Sequence, residues 1–452
     1  MTDRKWSYIL LMAGYVLMST AAYAQQYSLK ALGVGLHGGE DPRINNSGQV
    51  VGALANGSFL YSGGTVAPLP AAFEASYINN MGVIGMSASA SAHVFLSGPP
   101  YTSQVDLGTL PGCGPGESIV TGLNDSGVAV GITNAPTSCP QPFIFSNGHL
   151  TALGGTNSGY ERLAINNSNQ IVGAFINSAG WTRAGELING VLTDIDPSNA
   201  TVYGSEAVDI NDAGEFVVNT NEAYCTKQLG PPTFKKITYV CSGPNWYPAV
   251  YSGSTVTALP GLGSSGAMAT AIDFWGDVVG YSQTAAGVLH GFVNLYGATF
   301  DLNSHPLING AGWTIQWAFD INDNGQILAL GNDSTGKQDI VILTPYIVKQ
   351  PPPVTITVNH ASVQNGAAGG SASVGTVSLS SGAPFGGTVV YLSSSNPLVT
   401  VPAKIRVAPK STTASFTITS TAPSASDGVT IFATTGVSTK ASTFTISGKA
   451  AD

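Results

Sequence analysis

The chain has 452 residues, a formal net charge of −9 and only 9% charged side chains, so it is long enough for more than one domain. Its acidity argues against a nucleic-acid-binding surface. Past the first two dozen residues no apolar run is long enough to cross a bilayer as a helix.

Residues 1–24 read as a secretory signal. Arg4 and Lys5 precede an apolar run around Ile9 to Met18, and Ala22-Tyr23-Ala24 stands before Gln25. Its removal takes two basic residues and one acidic residue and leaves a formal charge of −10. The expected location is outside the cytoplasm, extracellular or periplasmic.

From Tyr27 onward one turn recurs. Asn45, Asn79, Asn124, Asn166, Asn211, Asp273 and Asn322 each follow an aliphatic residue, and each is followed three residues later by Gly48, Gly82, Gly127, Asn169, Gly214, Gly276 and Gly325. An Asx at the first turn position and a residue at positive φ at the fourth predict a tight hairpin. Asn is the side chain that enters positive φ most easily, so Asn169 is expected to be exchangeable for Gly at no cost. A hydrophobic strand follows each turn ("QVVGAL", "VIGM", "VAVGIT", "QIVGAF", "EFVVNT", "DVVGYS", "QILALG"), then a loop and a third strand such as "SFLY", "HVFL", "PFIF" or "PAVY". In the fourth copy the third strand is obscured by Arg183 and Glu186 in "WTRAGELI". A fourth strand closes six of the units, and the seventh such strand is "YSLKALG", Tyr27 to Gly33, at the opposite end of the repeat region.

A closed ring uses such a split, because pairing the two ends removes open sheet edges. Seven units between Tyr27 and Pro345 give roughly 46 residues each, near the period of a propeller blade. The expected fold is all-β: a seven-bladed β-propeller over residues 25–345, closed by an N-terminal strand. An open solenoid of four-stranded units is the rival.

"YIVKQPPP" reads as a stiff linker, with residues 346–353 taken as the joint. Residues 354–448 alternate polar and apolar residues in seven short runs, among them "VTITV", "TVVYL" and "ASFTI", which predicts a small β-sandwich.

The repeats resemble bacterial extracellular proteins that carry the HAF repeat, named for a His-Ala-Phe triplet on the third strand. The match rests on "HVF" at His93, "HGF" at His290, the "IN..G.VVG" turns and "LGTL" at Leu107 to Leu110. That resemblance implies secretion and no known activity. "LSSSNPLVTVPAKIRVAPKSTTASFTITS" resembles bacterial Ig-like domains, which implies a spacer or adhesive module.

If the four strands of each unit run up and down, the tight turns share one rim and the long irregular loops share the other. Binding sites are commonly built on such loops, so the long-loop rim is the expected reader. Trp181, Trp246 and Trp313, with Tyr160 and Tyr203, begin strands there and are candidate ligand-stacking residues; packing between blades is their alternative role. All four cysteines map to the same rim, and Cys113–Cys139 and Cys225–Cys241 are the expected local disulfides. A metal site is the rival, without a CxxC or a His cluster to support it.

Catalytic patterns are sparse: the six histidines are scattered, and paired carboxylates such as Glu40-Asp41 or Asp194/Asp196 occur in any loop. "DINDNG" at Asp320 has the start of a calcium loop, but Leu328 stands where a later acidic ligand is needed, so it reads as an Asx turn. No metal site and no cofactor motif are read. The expected function is a secreted, non-catalytic binding or adhesion protein with an extracellular glycan or protein ligand. The alternative is a propeller hydrolase or lyase acting on extracellular polysaccharide, its acid and base drawn from His37, Glu40, Glu161 or Arg162.

Overall fold

The computed structural model describes residues 27–36, 41–54, 57–70, 73–88, 93–108, 110, 117–134, 141–153, 162–176, 181–188, 190–195, 204–229, 237–253, 255–295, 297–345, 353–358, 362–363, 372–379, 383, 388–402, 404–408, 411–420, 427–435 and 438–446. The expected signal at residues 1–24 lies outside them. Two compact units divide the chain, one of them Tyr27–Pro345.

That unit is built of antiparallel four-stranded sheets, in six of which the strands follow chain order. After β1 (Tyr27–Ala31), sheet one holds β2 (Arg43–Ile44), β3 (Val50–Leu54), β4 (Gly57–Ser62) and β5 (Thr65–Pro68). Sheet two holds β6 (Phe73–Ile78), β7 (Ile84–Ala88), β8 (Val94–Ser97) and β9 (Val105–Gly108). In sheet three are β10 (Glu117–Leu123), β11 (Ala129–Asn134), β12 (Gln141–Ser146) and β13 (His149–Ala152), and in sheet four β14 (Leu163–Ile165), β15 (Ile171–Ile176), β16 (Thr182–Ile188) and β17 (Val191–Asp194). Sheet five comprises β18 (Ser205–Ile210), β19 (Phe216–Leu229), β20 (Ile237–Ser252) and β21 (Thr255–Ala258); sheet six comprises β22 (Gly263–Ile272), β23 (Val278–Thr284), β24 (Leu289–Leu295) and β25 (Ala298–Asp301). Sheet seven contains β26 (Thr314–Ile321), β27 (Ile327–Asn332) and β28 (Gln338–Pro345), and its fourth strand is β1, which pairs with β28 from Tyr27↔Pro345 to Ala31↔Val341.

The first hairpin of each sheet is the Asx turn. In sheet one, Gly48 N donates to Asn45 O at 2.9 Å, Ser47 N and Gln49 N both donate to Asn45 Oδ1 at 3.0 Å, and Gly48 has φ of 73°. Asn169 takes the same left-handed backbone at φ of 61°.

Hydrophobic clusters lie between consecutive sheets, which is why the second strands read as near-continuous apolar runs. Val51 and Leu60 of sheet one pack with Ile78, Ile84 and Met86 of sheet two. The same arrangement joins the chain's far ends: Ile44, Val50 and Phe59 of sheet one cluster with Leu328, Ile340 and Ile342 of sheet seven. Gly52 explains the "VVG" pattern, since a Cβ there would come within 2.9 Å of the Phe59 ring.

The long-loop rim, expected to be irregular, contains regular structure in two places among the described residues. Residues 221–229 and 237–246 continue the β19–β20 ladder out to Leu229↔Ile237, because "ITYVC" supplies residues that favour extended backbone. "SHPLINGAG" contains a helical turn, Pro306–Asn309, where His305 Nδ1 accepts from Leu307 N at 3.2 Å.

Beyond the expected linker, of which only Pro353 is described, come β29 (Pro353–Val358), β30 (Ser362–Val363), β31 (Ala372–Leu379), β32 (Thr388–Ser394), β33 (Val399–Thr400), β34 (Lys404–Val407), β35 (Thr413–Ser420), β36 (Asp427–Thr435) and β37 (Ser438–Ile446). They form sheets of order β29-β31-β35-β33 and β30-β37-β36-β32-β34. Both sheets contribute to one core, Val377 and Ile418 from the first and Val390 and Ile431 from the second. The two short strands β30 and β33, each two residues long, escape a reading by alternation.

Candidate functional site

The seven Asx turns are hydrogen-bonded to one another. Asn45 Nδ2 donates to Asn79 O, Asn79 to Asn124 O, Asn124 to Asn166 O, Asn166 to Asn211 O and Asn211 to Asp273 O, all at 2.9–3.2 Å. The succession returns to its start when Asn322 Nδ2 donates to Asn45 O at 2.8 Å. Asp273 carries no side-chain N–H to donate, and there Trp275 Nε1 donates to Asp323 O at 3.0 Å. A second succession runs through the following residues: Asn46 N donates to Asn80 Oδ1, Asn80 N to Asp125 Oδ1, Asp125 N to Asn167 Oδ1 and Asn167 N to Asp212 Oδ1, and Asp323 N donates to Asn46 Oδ1.

A cavity of ≈ 120 Å³ opens among these turns. It is smaller than the ≈ 300–1,000 Å³ of ordinary small-molecule pockets. Besides the Asx pairs it is lined by Tyr77, Asp209 and Asp320. These three and Arg43 occupy the same place in the repeat, two residues before the Asx, where the other copies carry Gly122, Ala164 and Ala271. Arg43 Nη1 lies 3.9 Å from Asp320 Oδ1, its guanidinium sits 5.6 Å from the Tyr77 ring centroid, and Asp320 Oδ2 accepts from Ile44 N at 2.9 Å. Asp209 Oδ2 accepts from Ile272 N at 2.9 Å. One guanidinium thus faces two carboxylates away from bulk water. Burial pushes Asp320 up to about 7, with Arg43 opposing and Asp209 adding to the rise. Burial likewise raises Asp209 to about 6 against the pull of Arg43. Tyr77 is also raised, chiefly by burial.

At the opposite, long-loop edge three cross-strand pairs share one register. His93 Nδ1 meets Asp106 Oδ2 at 2.9 Å, Arg183 Nε meets Asp194 Oδ2 at 3.0 Å, and His290 Nδ1 meets Asp301 Oδ2 at 2.8 Å. In each case the Asp stands opposite the residue two beyond its partner: Phe95, Gly185 and Phe292. Arg183 therefore fills the histidine slot of the fourth repeat, and the third strand of that repeat is β16.

The predicted ligand-stacking residues are dispersed. Trp181 is 46% exposed just before β16, Trp246 is half-buried in β20 opposite Asn221, and Trp313 is half-buried before β26 with its ring against Gly331. Tyr160 and Tyr203 lie outside the described residues, as do Cys113, Cys139, His37, Glu40 and Glu161. Arg162 is half-buried beside β14, and Cys225 and Cys241 stand directly opposite each other in the β19–β20 register. Among the described residues no group of three or more His, Cys, Asp or Glu is arranged to hold a metal ion, and no helix is long and apolar enough to cross a membrane. The quartet Arg43, Tyr77, Asp209 and Asp320 was missed by the sequence reading; the position two before each Asx was the signal that could have found it.

No family model and no curated protein matches the chain. Solved structures similar to it include the D00-D0 domain of intimin, at 14% identity over 31% of this chain and 80% of that one with a TM-score of 0.18. A puromycin-hydrolyzing peptidase of Mycobacterium tuberculosis is 12% identical over 79% of this chain with a TM-score of 0.38, and the match spans 61% of the peptidase's length. At these scores neither likeness bears on fold or function.

Proposed function

We propose that Tyr27–Pro345 is a seven-bladed β-propeller closed by its N-terminal strand, in a secreted, non-catalytic binding or adhesion protein of the HAF-repeat kind. The carrying observation is the pairing of β1 with β28 across more than 300 residues of chain, joined by the Asn322 to Asn45 bond. Such closure gives a rigid frame that presents its long loops along one edge, as ligand-reading scaffolds do. The small, Asx-lined cavity on the other edge is too confined for a glycan or protein ligand, so the reader is assigned to the long-loop edge, where Trp181 is exposed. The C-terminal unit acts as an Ig-like β-sandwich spacer.

His93 and His290 belong to the frame, because Arg183 holds the equivalent slot. This favours binding over hydrolysis or lysis. The test is a glycan and protein array probed with the chain lacking residues 1–24, followed by product analysis of every hit. Retention of intact ligand supports the reading; new reducing ends or unsaturated products would replace it with an enzyme acting on polysaccharide.

A further inference from the structure

The outward face of the five-stranded sheet carries exposed aromatic rings. In the C-terminal unit β37, β36, β32 and β34 lie side by side, and Val390, Leu392, Ile431 and Ala433 belong to the core. Alternation along each strand therefore turns Tyr391, Ser393, Phe432 and Thr434 to the opposite face. There Tyr391 is 54% exposed and Phe432 37%, although an aromatic side chain left in water forgoes the burial that stabilises a sandwich.

Register fixes the arrangement. Lys404 stands opposite Tyr391, Tyr391 opposite Thr434 and Thr434 opposite Thr439, so one row crosses four strands. Phe432 stands opposite Ser393, which makes it a diagonal neighbour of Tyr391, at about 7–8 Å. Thr434 Oγ1 and Thr439 Oγ1 lie 3.0 Å apart, and such short hydroxyl side chains leave the rings standing above the sheet. Neighbouring strands are about 4.8 Å apart, close to the rise of one sugar in an extended chain. Strands β36, β32 and β34 thus offer a ring, a ring and a cation at successive sugar positions.

Charge sets the sign of the occupant. Arg406 is the next outward residue of β34 after Lys404, and both are half-buried. Between residues 353 and 446 Asp427 is the one Asp or Glu, against Lys404, Arg406, Lys410 and Lys440, and it begins β36 about 16 Å along the strand from Phe432. Tyr27–Pro345, by contrast, has 22 Asp and Glu against eight Lys and Arg. The two cations on the face are fewer than the roughly four to eight of a membrane-binding cluster, and a sheet face offers a peptide no main-chain edge to extend.

We propose that this face binds an anionic polysaccharide laid across β36, β32 and β34. The apolar faces of two sugars cover Phe432 and Tyr391, and a carboxylate or sulfate group meets Lys404 or Arg406. Beyond spacing, the sandwich is then a second binding surface, independent of the long-loop edge.

Affinity electrophoresis of the full chain lacking residues 1–24, in gels containing polygalacturonate, dextran sulfate or neutral dextran, tests this. At least one anionic gel should retard the chain and neutral dextran should not; the carboxylate and sulfate arms identify the acidic group. Tyr391→Thr and Phe432→Thr keep strand-favouring residues, and each should weaken binding about tenfold at unchanged melting temperature. Lys404→Glu should also cost about tenfold. The double variant Tyr391→Thr/Phe432→Thr should keep any array ligand of the long-loop edge, so the two surfaces fail separately. No retardation in either anionic gel, equal retardation of the double variant, indifference to Lys404→Glu, or binding of phosphatidylglycerol vesicles without polysaccharide would each overturn the proposal.

Discussion

Asn124 Nδ2 donates to Asn169 Oδ1 at 2.8 Å across the junction of sheets three and four. The reason lies four residues after each turn Asn. Asn45, Asn166 and Asn322 direct Nδ2 to Gln49, Gln170 and Gln326 of their own turns at 2.8–2.9 Å, but Asn124 is followed at that distance by Val128, which offers no acceptor. The neighbouring turn supplies it, so Asn169 does more than tolerate positive φ.

Asn169→Gly is therefore expected to destabilise by about 1 kcal/mol, the worth of one hydrogen bond, contrary to the sequence expectation of no cost. Adding Val128→Gln should restore most of that loss by giving Asn124 a local acceptor. Asn169→Val should cost more, because a β-branched residue at positive φ adds about 1–3 kcal/mol of strain. Urea unfolding of the three variants checks the order.

Stability should fall as pH rises from about 5 to 8. Asp320 and Asp209 sit at about 7 and about 6 in the folded chain, above the ordinary carboxylate value of 3.8. The native state therefore binds their protons more tightly than the unfolded chain, and the resulting stability is present at low pH and lost through those values. Asp209→Asn should flatten the dependence, measured as urea midpoints at the two pH values. An unchanged slope would remove the Arg43, Tyr77, Asp209 and Asp320 quartet from the explanation.

The cross-strand pairs should rank by exposure. His93 and Asp106 have side chains 41% and 48% exposed, His290 and Asp301 19% and 25%, and solvent screening reduces exposed pairs to about 0–1 kcal/mol. Double-mutant cycles with Asp106→Asn and Asp301→Asn should give the larger coupling for His290–Asp301. Arg183→His should be tolerated, since it restores the slot's usual residue.

A cross-strand disulfide needs cysteines whose Cα atoms lie close on adjacent strands, and Cys225 and Cys241 are Cα partners of β19 and β20. Mass mapping of unreduced digests should recover that pair, together with Cys113–Cys139. A crossed pairing would contradict the shared-edge map of the loops.

The local features were legible because their causes are local. An Asx and a positive-φ residue three positions apart specify each tight turn, and the apolar strand after it is recognisable by composition; together these mark the turns at Asn45 through Asn322. What escaped is what the sheets do to each other. Asn45 reaches Asn79 across 34 residues and Asn322 reaches Asn45 across 277, and no window of sequence contains both partners. Arg43, Tyr77, Asp209 and Asp320 look like unrelated strand residues until repeat positions are superposed. The length of the β19–β20 ladder, out to Leu229↔Ile237, was hidden by the run Gly230-Pro231-Pro232, whose turn-forming composition outweighs the strand-favouring residues on either side in any sequence window.

The account turns on closure between the two ends of the repeat region, and the melting temperature of a reconnected chain tests it most directly. Deleting residues 25–33 removes β1 and bares the β28 edge, which should lower the melting temperature sharply and promote aggregation through the exposed strand. Pro345 stands opposite Tyr27, so a short turn can carry the same strand back if Tyr27–Gly33 is placed after Pro345 and the chain begins at residue 34. That reconnected protein should melt within a few degrees of the parent. If the deletion melts like the parent, or if the reconnected chain melts no higher than the deletion, the closed seven-sheet ring is wrong.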